Sequence, residues 1–139
     1  MEPRPQILLV DDNPGDADLM RIALAETWPG CDLRVAADGE QALAMLAGGE
    51  LPDLLLLDLH LPRLSGHEVL AALRTAEAPG MRRLPIVVYS TSGAPEDVRR
   101  SYELAANSHI VKPQDLDALF EVAGALAGYW FETVGRPTD

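Results

Sequence analysis

The sequence predicts an α/β fold, in which a doubly wound parallel β-sheet carries helices on both faces. Short apolar or β-branched runs of strand length alternate along the chain with longer stretches of helical pattern. Three of the five strand runs are apolar almost throughout, as expected for strands that are buried on both faces. With 139 residues, 47% of them hydrophobic, the chain has the size and composition of one domain with one core.

The elements follow in a regular order of strand and helix. The five strands are predicted at residues 6–10, 32–36, 53–57, 85–89 and 108–111. The five helices are predicted at residues 16–27, 39–47, 65–75, 95–104 and from 115 to about 134. Each helix is long enough to connect two parallel strands by a right-handed crossover.

Local signals mark several helix ends. Ser65 and Glu68 have the spacing of a capping box at the start of the third helix. Pro95 followed by Glu96 suits the first turn of the fourth helix. Asn107 is the candidate to close that helix in a left-handed conformation.

Composition and charge argue against several classes of protein. Acidic residues outnumber basic residues 22 to 11, and no cluster of Lys or Arg offsets them, so autonomous nucleic-acid binding is disfavoured. The lone Cys31 rules out an internal disulfide and any multi-cysteine metal site. The apolar runs are too short for a membrane span or an export signal, so we expect a cytoplasmic protein.

Polar residues follow four of the predicted strands, at the edge of the sheet where ligands of such folds bind. They are Asp11 and Asp12 after the first strand, Asp58 after the third, Ser90 and Thr91 after the fourth, and Lys112 and Pro113 after the fifth. A single Asp after a strand is more often a turn former or a helix cap. Because these strand ends can converge, we expect one site.

The chemistry of this set points to a metal ion and a phosphoryl group. Three carboxylates in one crevice repel each other unless a cation joins them, and an oxygen-rich cluster suits Mg²⁺ or Mn²⁺. A metal ion, a lysine and a hydroxyl can together hold a phosphoryl group, with a carboxylate as its acceptor. Lys112 is the single lysine among eleven basic residues, and its ammonium is a compact point charge.

Four segments in order, ILLVDDN, LLLLDLHLPRLSGHEVL, PIVVYSTS and HIVKP, resemble the receiver domain of bacterial two-component response regulators. The resemblance runs from about Gln6 to Leu126. The segments DNPGDADL, STS and ANSHIVKP, with Tyr102, are similar to single-domain regulators that accept phosphate from bacterial phytochrome histidine kinases. The resemblance implies one receiver domain over residues 1–139, with a flavodoxin-like (βα)5 fold and strand order 2-1-3-4-5.

The same resemblance implies a stand-alone response regulator of a phosphorelay. A histidine kinase, of the phytochrome light-sensor type, would phosphorylate Asp58 in a Mg²⁺-dependent reaction, and the protein would then switch conformation for protein-protein signalling. It would not be an enzyme beyond its own phosphorylation and dephosphorylation. Asp12 and Asp58 would bind Mg²⁺ directly, Asp11 largely through water, and His60 through its backbone carbonyl.

The resemblance also implies roles for the residues after the last two strands. Ser90 is expected to be the switch hydroxyl, Thr91 to contact phosphate through its backbone N–H, and Lys112 to pair with a phosphate oxygen. The Lys112–Pro113 bond is expected to be cis, with Pro113 as the cis-proline. His109 stands where the family usually has Tyr or Phe, and Thr91 is bulkier than the frequent Ala.

The three histidines have separate interpretations. His67 is expected to be a partly exposed helix residue. His60 either influences how water reaches the phosphoryl group or is a tolerated loop residue. His109 has a packing or hydrogen-bonding role, or it titrates near neutral pH and belongs to the switch together with Ser90.

Two other functions compete with the regulator. An aspartyl-phosphate phosphatase would need a second Asp two residues after its nucleophile, and that position is His60. A phosphorylation-independent interaction module would not need the complete set of acidic residues, hydroxyl and lysine that this chain has. We expect no DNA-binding output.

The last helix carries one long apolar stripe, which extends beyond the part of the helix that a five-stranded sheet can cover. Its members are Leu116, Leu119, Phe120, Ala123, Leu126, Ala127, Trp130, Phe131 and Val134. Residues from about 127 to 139 therefore form an extension, in which Tyr129, Trp130, Phe131 and Val134 are expected to make an interface. We predict a homodimer through the fourth and fifth helices and this extension; alternatively, the extension folds back onto its own domain.

Overall fold

The structure is a computed structural model, and it describes residues 4–135. Its sheet has five parallel strands in the order β2-β1-β3-β4-β5, which confirms the predicted fold class and strand order. The strands are β1 (Gln6–Val10), β2 (Asp32–Ala36), β3 (Leu54–Leu57), β4 (Ile86–Ser90) and β5 (Ser108–Val111). The predicted strands therefore differ from the observed ones by at most one residue at an end.

The helices are α1 (Pro14–Thr27), α2 (Gly39–Ala47), α3 (Gly66–Arg74), α4 (Pro79–Arg82), α5 (Pro95–Glu103) and α6 (Leu116–Gly128). The capping box at Ser65 is present, with Ser65 and Glu68 bonded to each other's backbone N–H groups. The short helix α4 was not predicted, because four residues are too few to show a periodic pattern. None of the helices in the described part of the chain is long and apolar enough to span a membrane.

Two hydrophobic layers sandwich the sheet. Neighbouring residues of a strand point to opposite faces, so Leu8 and Leu55 pack on the α2 and α3 side, whereas Leu9 and Leu56 pack on the α1 and α6 side. All four leucines are fully buried. This two-sided burial explains why β3 is a run of leucines, and it leaves only the strand ends open for polar chemistry.

The left-handed residue after α5 is Ala105, with φ of 70°, so the prediction for Asn107 is wrong. Asn107 instead makes hydrogen bonds to residues outside its own helix end. Its side-chain oxygen accepts hydrogen bonds from the backbone N–H of Ile86 at 2.8 Å and from the Arg74 guanidinium at 3.0 Å. The Asn107 amide thereby ties the start of β4 to α3.

The C-terminal extension continues from α6 as one π-helical turn, Tyr129–Thr133. Phe131 packs against Trp28 at the end of α1, with ring centroids 6.1 Å apart, and Trp130 is half-buried against the same core. Val134 is half-buried as well, whereas Tyr129 is 54% exposed and Leu116 is 50% exposed. Part of the predicted interface thus contacts its own domain, and residues 136–139 lie outside the described residues.

Candidate functional site

Backbone pairing places the predicted residues at one edge of the sheet. Val10 and Leu57 are partners in the parallel register, so Asp11 and Asp58 leave neighbouring strands at the same level. The Asp58 N–H donates to the Val10 carbonyl at 3.0 Å, which extends the ladder by one bond. At the other side, the Lys112 N–H donates to the Ser90 carbonyl at 2.8 Å.

The Lys112 ammonium occupies the centre of the site. Its Nζ atom lies 2.8 Å from Asp11 Oδ2, 2.9 Å from Asp16 Oδ2 and 3.0 Å from Asp58 Oδ2. An ammonium has three N–H donors, so these three carboxylates use all of them. The Lys112 side chain is only 8% exposed, and Nζ also stands 5.7 Å from the centre of the Tyr89 ring.

Asp16 and Tyr89 are the two members of this cluster that the sequence analysis missed. Asp16 looked like an ordinary acidic residue in a first helical turn, and its bond to Lys112 spans 96 residues of the chain. Tyr89 looked like a buried strand residue, which it is. The sequence signal for Asp16 was its place one turn after the acidic pair, above the same strand ends.

The electrostatics follow from one buried cation among several carboxylates. Burial alone would lower the pKa of Lys112, but the hydrogen bonds that its ammonium donates to Asp11, Asp16 and Asp58 outweigh burial and hold this pKa above its usual value. Burial raises the pKa of Asp11, and the bond to Lys112 offsets only part of that rise. The cluster therefore keeps Lys112 charged and retains excess negative charge that a further cation can neutralise.

Asp11, Asp12 and Asp58 fit a divalent metal ion. One oxygen of each lies within 4.8 Å of the others. The Oδ1 atoms of Asp11 and Asp58, whose Oδ2 atoms bond Lys112, accept backbone N–H bonds from Asn13 and His60, which orients both carboxylates. Asp12 is exposed, and within residues 4–135 no hydrogen bond or ion pair holds its carboxylate. The donor set is all oxygen, as Mg²⁺ and Mn²⁺ prefer.

Gly66 fixes the loop that follows Asp58. A Cβ atom on Gly66 would lie 2.1 Å from the Asp58 carbonyl oxygen, so a larger residue cannot stand there without moving the backbone. The Gly66 N–H donates to the Leu59 carbonyl at 3.0 Å. This close approach holds the start of α3 against the loop and leaves the His60 side chain exposed at its rim.

The loop after β4 holds the predicted switch residues. Ser90 is fully buried, and its hydroxyl oxygen accepts a bond from the Ser92 N–H at 3.2 Å. Thr91 is exposed at the bend. In the described part of the chain no acceptor for the Ser90 hydroxyl proton is found.

His109 lies at the base of this loop and is bonded at both ring nitrogens. Nε2 is 2.9 Å from the Ser92 carbonyl, and Nδ1 is 2.9 Å from Ser101 Oγ. Ser101 Oγ also lies 3.0 Å from Nε2 of His67, so a hydrogen bond joins His67 in α3 to Ser101 in α5. Burial lowers the pKa of His67. His109 therefore makes hydrogen bonds, as one of its two interpretations expects.

The Lys112–Pro113 peptide bond is trans, because no cis bond occurs between residues 4 and 135. The expectation of a cis-proline at Pro113 is therefore wrong for this structure. The trans form is intrinsically favoured for X-Pro bonds.

Comparison with known proteins agrees with this geometry. Residues 7–123 match the family described as the response regulator receiver domain. The chain is 38% identical to the response regulator Rcp1 of Synechocystis sp. over 97% of this chain and 95% of that protein.

Solved structures that are similar over nearly the whole chain include two from phytochrome-type regulators. The phosphorylated cyanobacterial phytochrome response regulator RcpA has a TM-score of 0.89 at 36% identity, covering 97% of this chain and 99% of its own. The Mn²⁺-bound form of Rcp1 has a TM-score of 0.85 at 36% identity, covering 96% and 99%. The family match spans the sheet, the acidic cluster and Lys112, and this chain belongs to the response regulator receiver domain family.

Proposed function

We propose that this protein is a stand-alone response regulator, which accepts a phosphoryl group on Asp58 from a histidine kinase of the bacterial phytochrome type. The observation that carries the proposal is the Lys112 ammonium bound to Asp58 and Asp11 at the strand ends. Similarity to phytochrome response regulators over nearly the full chain supports the kinase class. Residues 1–139 form one receiver domain in this proposal, with residues 127–139 as its extension.

In the proposed reaction, an oxygen of the Asp58 carboxylate attacks the phosphorus of a phosphohistidine. A P–O bond forms, the P–N bond breaks, and its electron pair stays on the histidine nitrogen, which takes up a proton. Lys112 stabilises negative charge on the phosphoryl oxygens, and the Ser90 hydroxyl and the Thr91 N–H donate to them. Water hydrolyses the resulting acyl phosphate, and we propose no chemistry on any other molecule.

Asp11, Asp12 and Asp58 would hold Mg²⁺, with the His60 backbone carbonyl as a further ligand. When bound, the ion supplies positive charge that neutralises the oxygens of the transferring group. The Mn²⁺-bound form of Rcp1 supports a divalent ion in this class of site. Because phosphotransfer draws on a kinase that uses ATP, we expect the protein to act in the cytoplasm. Its net charge of −11 supports protein partners rather than nucleic acid.

Transfer from purified kinases tests the proposed partner. Labelled ATP is given to a bacterial phytochrome histidine kinase and, in parallel, to a chemotaxis-type histidine kinase. The proposal expects faster transfer to this protein from the phytochrome kinase. Equal or faster transfer from the chemotaxis kinase would contradict the proposed pairing with a phytochrome kinase. It would leave the proposed role of Asp58 as phosphoryl acceptor unaffected.

Chelation of divalent ions is expected to stop phosphorylation, because the acidic cluster carries excess negative charge that repels an anionic donor. Asp12→Asn removes the carboxylate that has no partner among residues 4–135, and it should raise the Mg²⁺ concentration for half-maximal transfer by about tenfold. Asp18→Asn, at an exposed position of α1, is the control for loss of charge alone. Full transfer in excess EDTA would refute the metal requirement.

Phosphorylation is also expected to move the loop after β4 by drawing the Ser90 hydroxyl toward the new anion. His109 would then leave its bonds to Ser92 and Ser101 and turn inward, which requires new contacts that outweigh both bonds. Amide spectra with and without beryllofluoride measure this directly. We expect shifts at Ser90, Thr91 and His109, with Leu33 in β2 as the unaffected reference; identical spectra at all three would contradict the switch.

We further propose a homodimer through α5, α6 and the extension. A groove of about 480 Å³ lies between β5 and α6, and the exposed Tyr129 stands at its border beside Trp130. Tyr129, Trp130, Phe131 and Val134 would contribute apolar area, although Phe131 already contacts Trp28 of its own domain. The remaining area that a partner can cover therefore centres on Tyr129.

Sedimentation measures the dimer at micromolar concentration, where we expect wild type to be dimeric without phosphate. Tyr129→Ser should shift the protein to monomer because it removes the most exposed aromatic ring of the extension. A chain that ends at Gly128 should do the same. A monomeric wild type, or a dimer that neither change affects, would contradict a dimer through the extension. The extension would then pack only against its own domain.

A further inference from the structure

The α1 residue Asp16 makes a contact that the proposed phosphotransfer does not use. Its Oδ2 atom lies 2.9 Å from Lys112 Nζ. Asn13 caps the first turn of α1, because its side-chain oxygen accepts a hydrogen bond from the Asp16 N–H at 3.1 Å. This bond fixes the position of the Asp16 backbone. Asp16 therefore occupies one of the three N–H donors of Lys112 in the unphosphorylated protein.

The three partners of Lys112 differ in how easily they can be released. The Asp11 and Asp58 side chains are 0% and 6% exposed, so losing the ammonium would leave each of them as a buried charge. The Asp16 side chain is 34% exposed, so water can replace the ammonium there. When a phosphoryl oxygen requires an N–H of Lys112, Asp16 is the least costly partner to give up.

We propose that Asp16 is a positioning residue that limits the affinity of the site for a phosphoryl group; this inference rests on the proposed function. Asp16 competes with phosphoryl oxygens for Lys112, and once displaced it is a carboxylate beside an anion, which it repels. Asp16 therefore favours the unphosphorylated state.

The test measures affinity for beryllofluoride, a phosphoryl mimic, at saturating Mg²⁺ so that altered metal binding does not contribute. Asp16→Asn should bind about fivefold more tightly than wild type. Asp16→Glu keeps the charge, so its affinity for beryllofluoride should lie closer to that of wild type than the affinity of Asp16→Asn does. Asp18→Asn removes an exposed charge from the same helix, and it should change the affinity little.

A second readout follows from composition, because Lys112 is the only lysine of the chain. Labelling with ¹⁵N-lysine therefore gives one side-chain ammonium signal, which reports the Lys112 environment without any phosphoryl group. Asp16→Asn should shift this signal and speed its hydrogen exchange with water, whereas Asp18→Asn should not.

The outcomes separate this inference from the proposed function. If wild type binds beryllofluoride and Asp16→Asn matches Asp18→Asn in affinity and in the ammonium signal, the role of Asp16 is refuted and the function stands. Tighter binding with a shifted ammonium signal supports the role. If wild type does not bind beryllofluoride, the proposed function fails and the role of Asp16 fails with it, even where the ammonium signal shifts.

Discussion

Asp58→Asn is expected to abolish phosphoryl incorporation, with a loss of more than about a hundredfold in rate from any donor. The amide has nearly the shape of the carboxylate, but it lacks the anionic oxygen that attacks phosphorus. Because the side chain is buried beside Lys112, an isosteric change keeps the packing of the site. The measurement is acid-stable, base-labile labelling of the protein from a phosphodonor.

Asp117→Asn is the matched control, since it changes an exposed Asp in the first turn of α6. We expect it to be labelled at the wild-type rate. Circular dichroism should show that both variants are folded. Persistent labelling of a folded Asp58→Asn protein would mean that another residue is the acceptor.

Lys112→Met should have the largest effect on stability. It replaces the ammonium by an uncharged side chain of similar length and leaves Asp11 and Asp58 buried without their cation. Removing one partner of a buried ion pair costs about 3–5 kcal/mol, so we expect a loss of about 3 kcal/mol in the free energy of unfolding at pH 7 in EDTA. Denaturant unfolding measures this value.

Two conditions distinguish this electrostatic effect from lost packing. Mg²⁺ should restore part of the stability, because it supplies the missing positive charge. Burial already raises the pKa of Asp11 in the wild type, and the Lys112 ammonium opposes that rise. Loss of the ammonium should raise this pKa further, so the folded variant binds more protons than the folded wild type at acidic pH. The deficit should therefore be small at low pH and grow as pH rises through the pKa of folded Asp11.

Lys112→Arg serves as the control that keeps the charge. It should retain more stability than Lys112→Met, although a planar guanidinium cannot reproduce three bonds from one nitrogen. A Lys112→Met protein as stable as wild type in EDTA at pH 7 would contradict the role assigned to this ion cluster.

The sheet and most of the site were predictable because both depend on simple periodic rules. Continuous apolar runs such as Leu54–Leu57 indicate strands buried on both faces, and parallel strands bring their carboxyl ends to one edge. Asp11, Asp58 and Lys112 could be grouped on that basis alone.

The remaining features depend on contacts between distant parts of the chain. Asp16 meets Lys112 across 96 residues, and His67 meets Ser101 across 34. The place of Asp16 one turn after the acidic pair indicates that it lies above the same strand ends, but not that it bonds Lys112. The π-helical turn at Tyr129–Thr133 depends on the i to i+5 bond from Val134 to Tyr129, which hydrophobic spacing does not encode. Asn107 was misassigned because its amide serves Ile86 and Arg74 rather than its own helix end.

Chemical mapping of the phosphorylated residue tests the central claim most directly. Wild-type protein is phosphorylated by a phytochrome-type histidine kinase in Mg²⁺, reduced with borohydride, and digested for mass spectrometry. Reduction converts an aspartyl phosphate to homoserine, so the position of homoserine identifies the acceptor. We predict homoserine at position 58 and unchanged Asp at positions 11, 12 and 16. Homoserine elsewhere, with Asp58 unchanged in a fully phosphorylated sample, would contradict the assignment of this site.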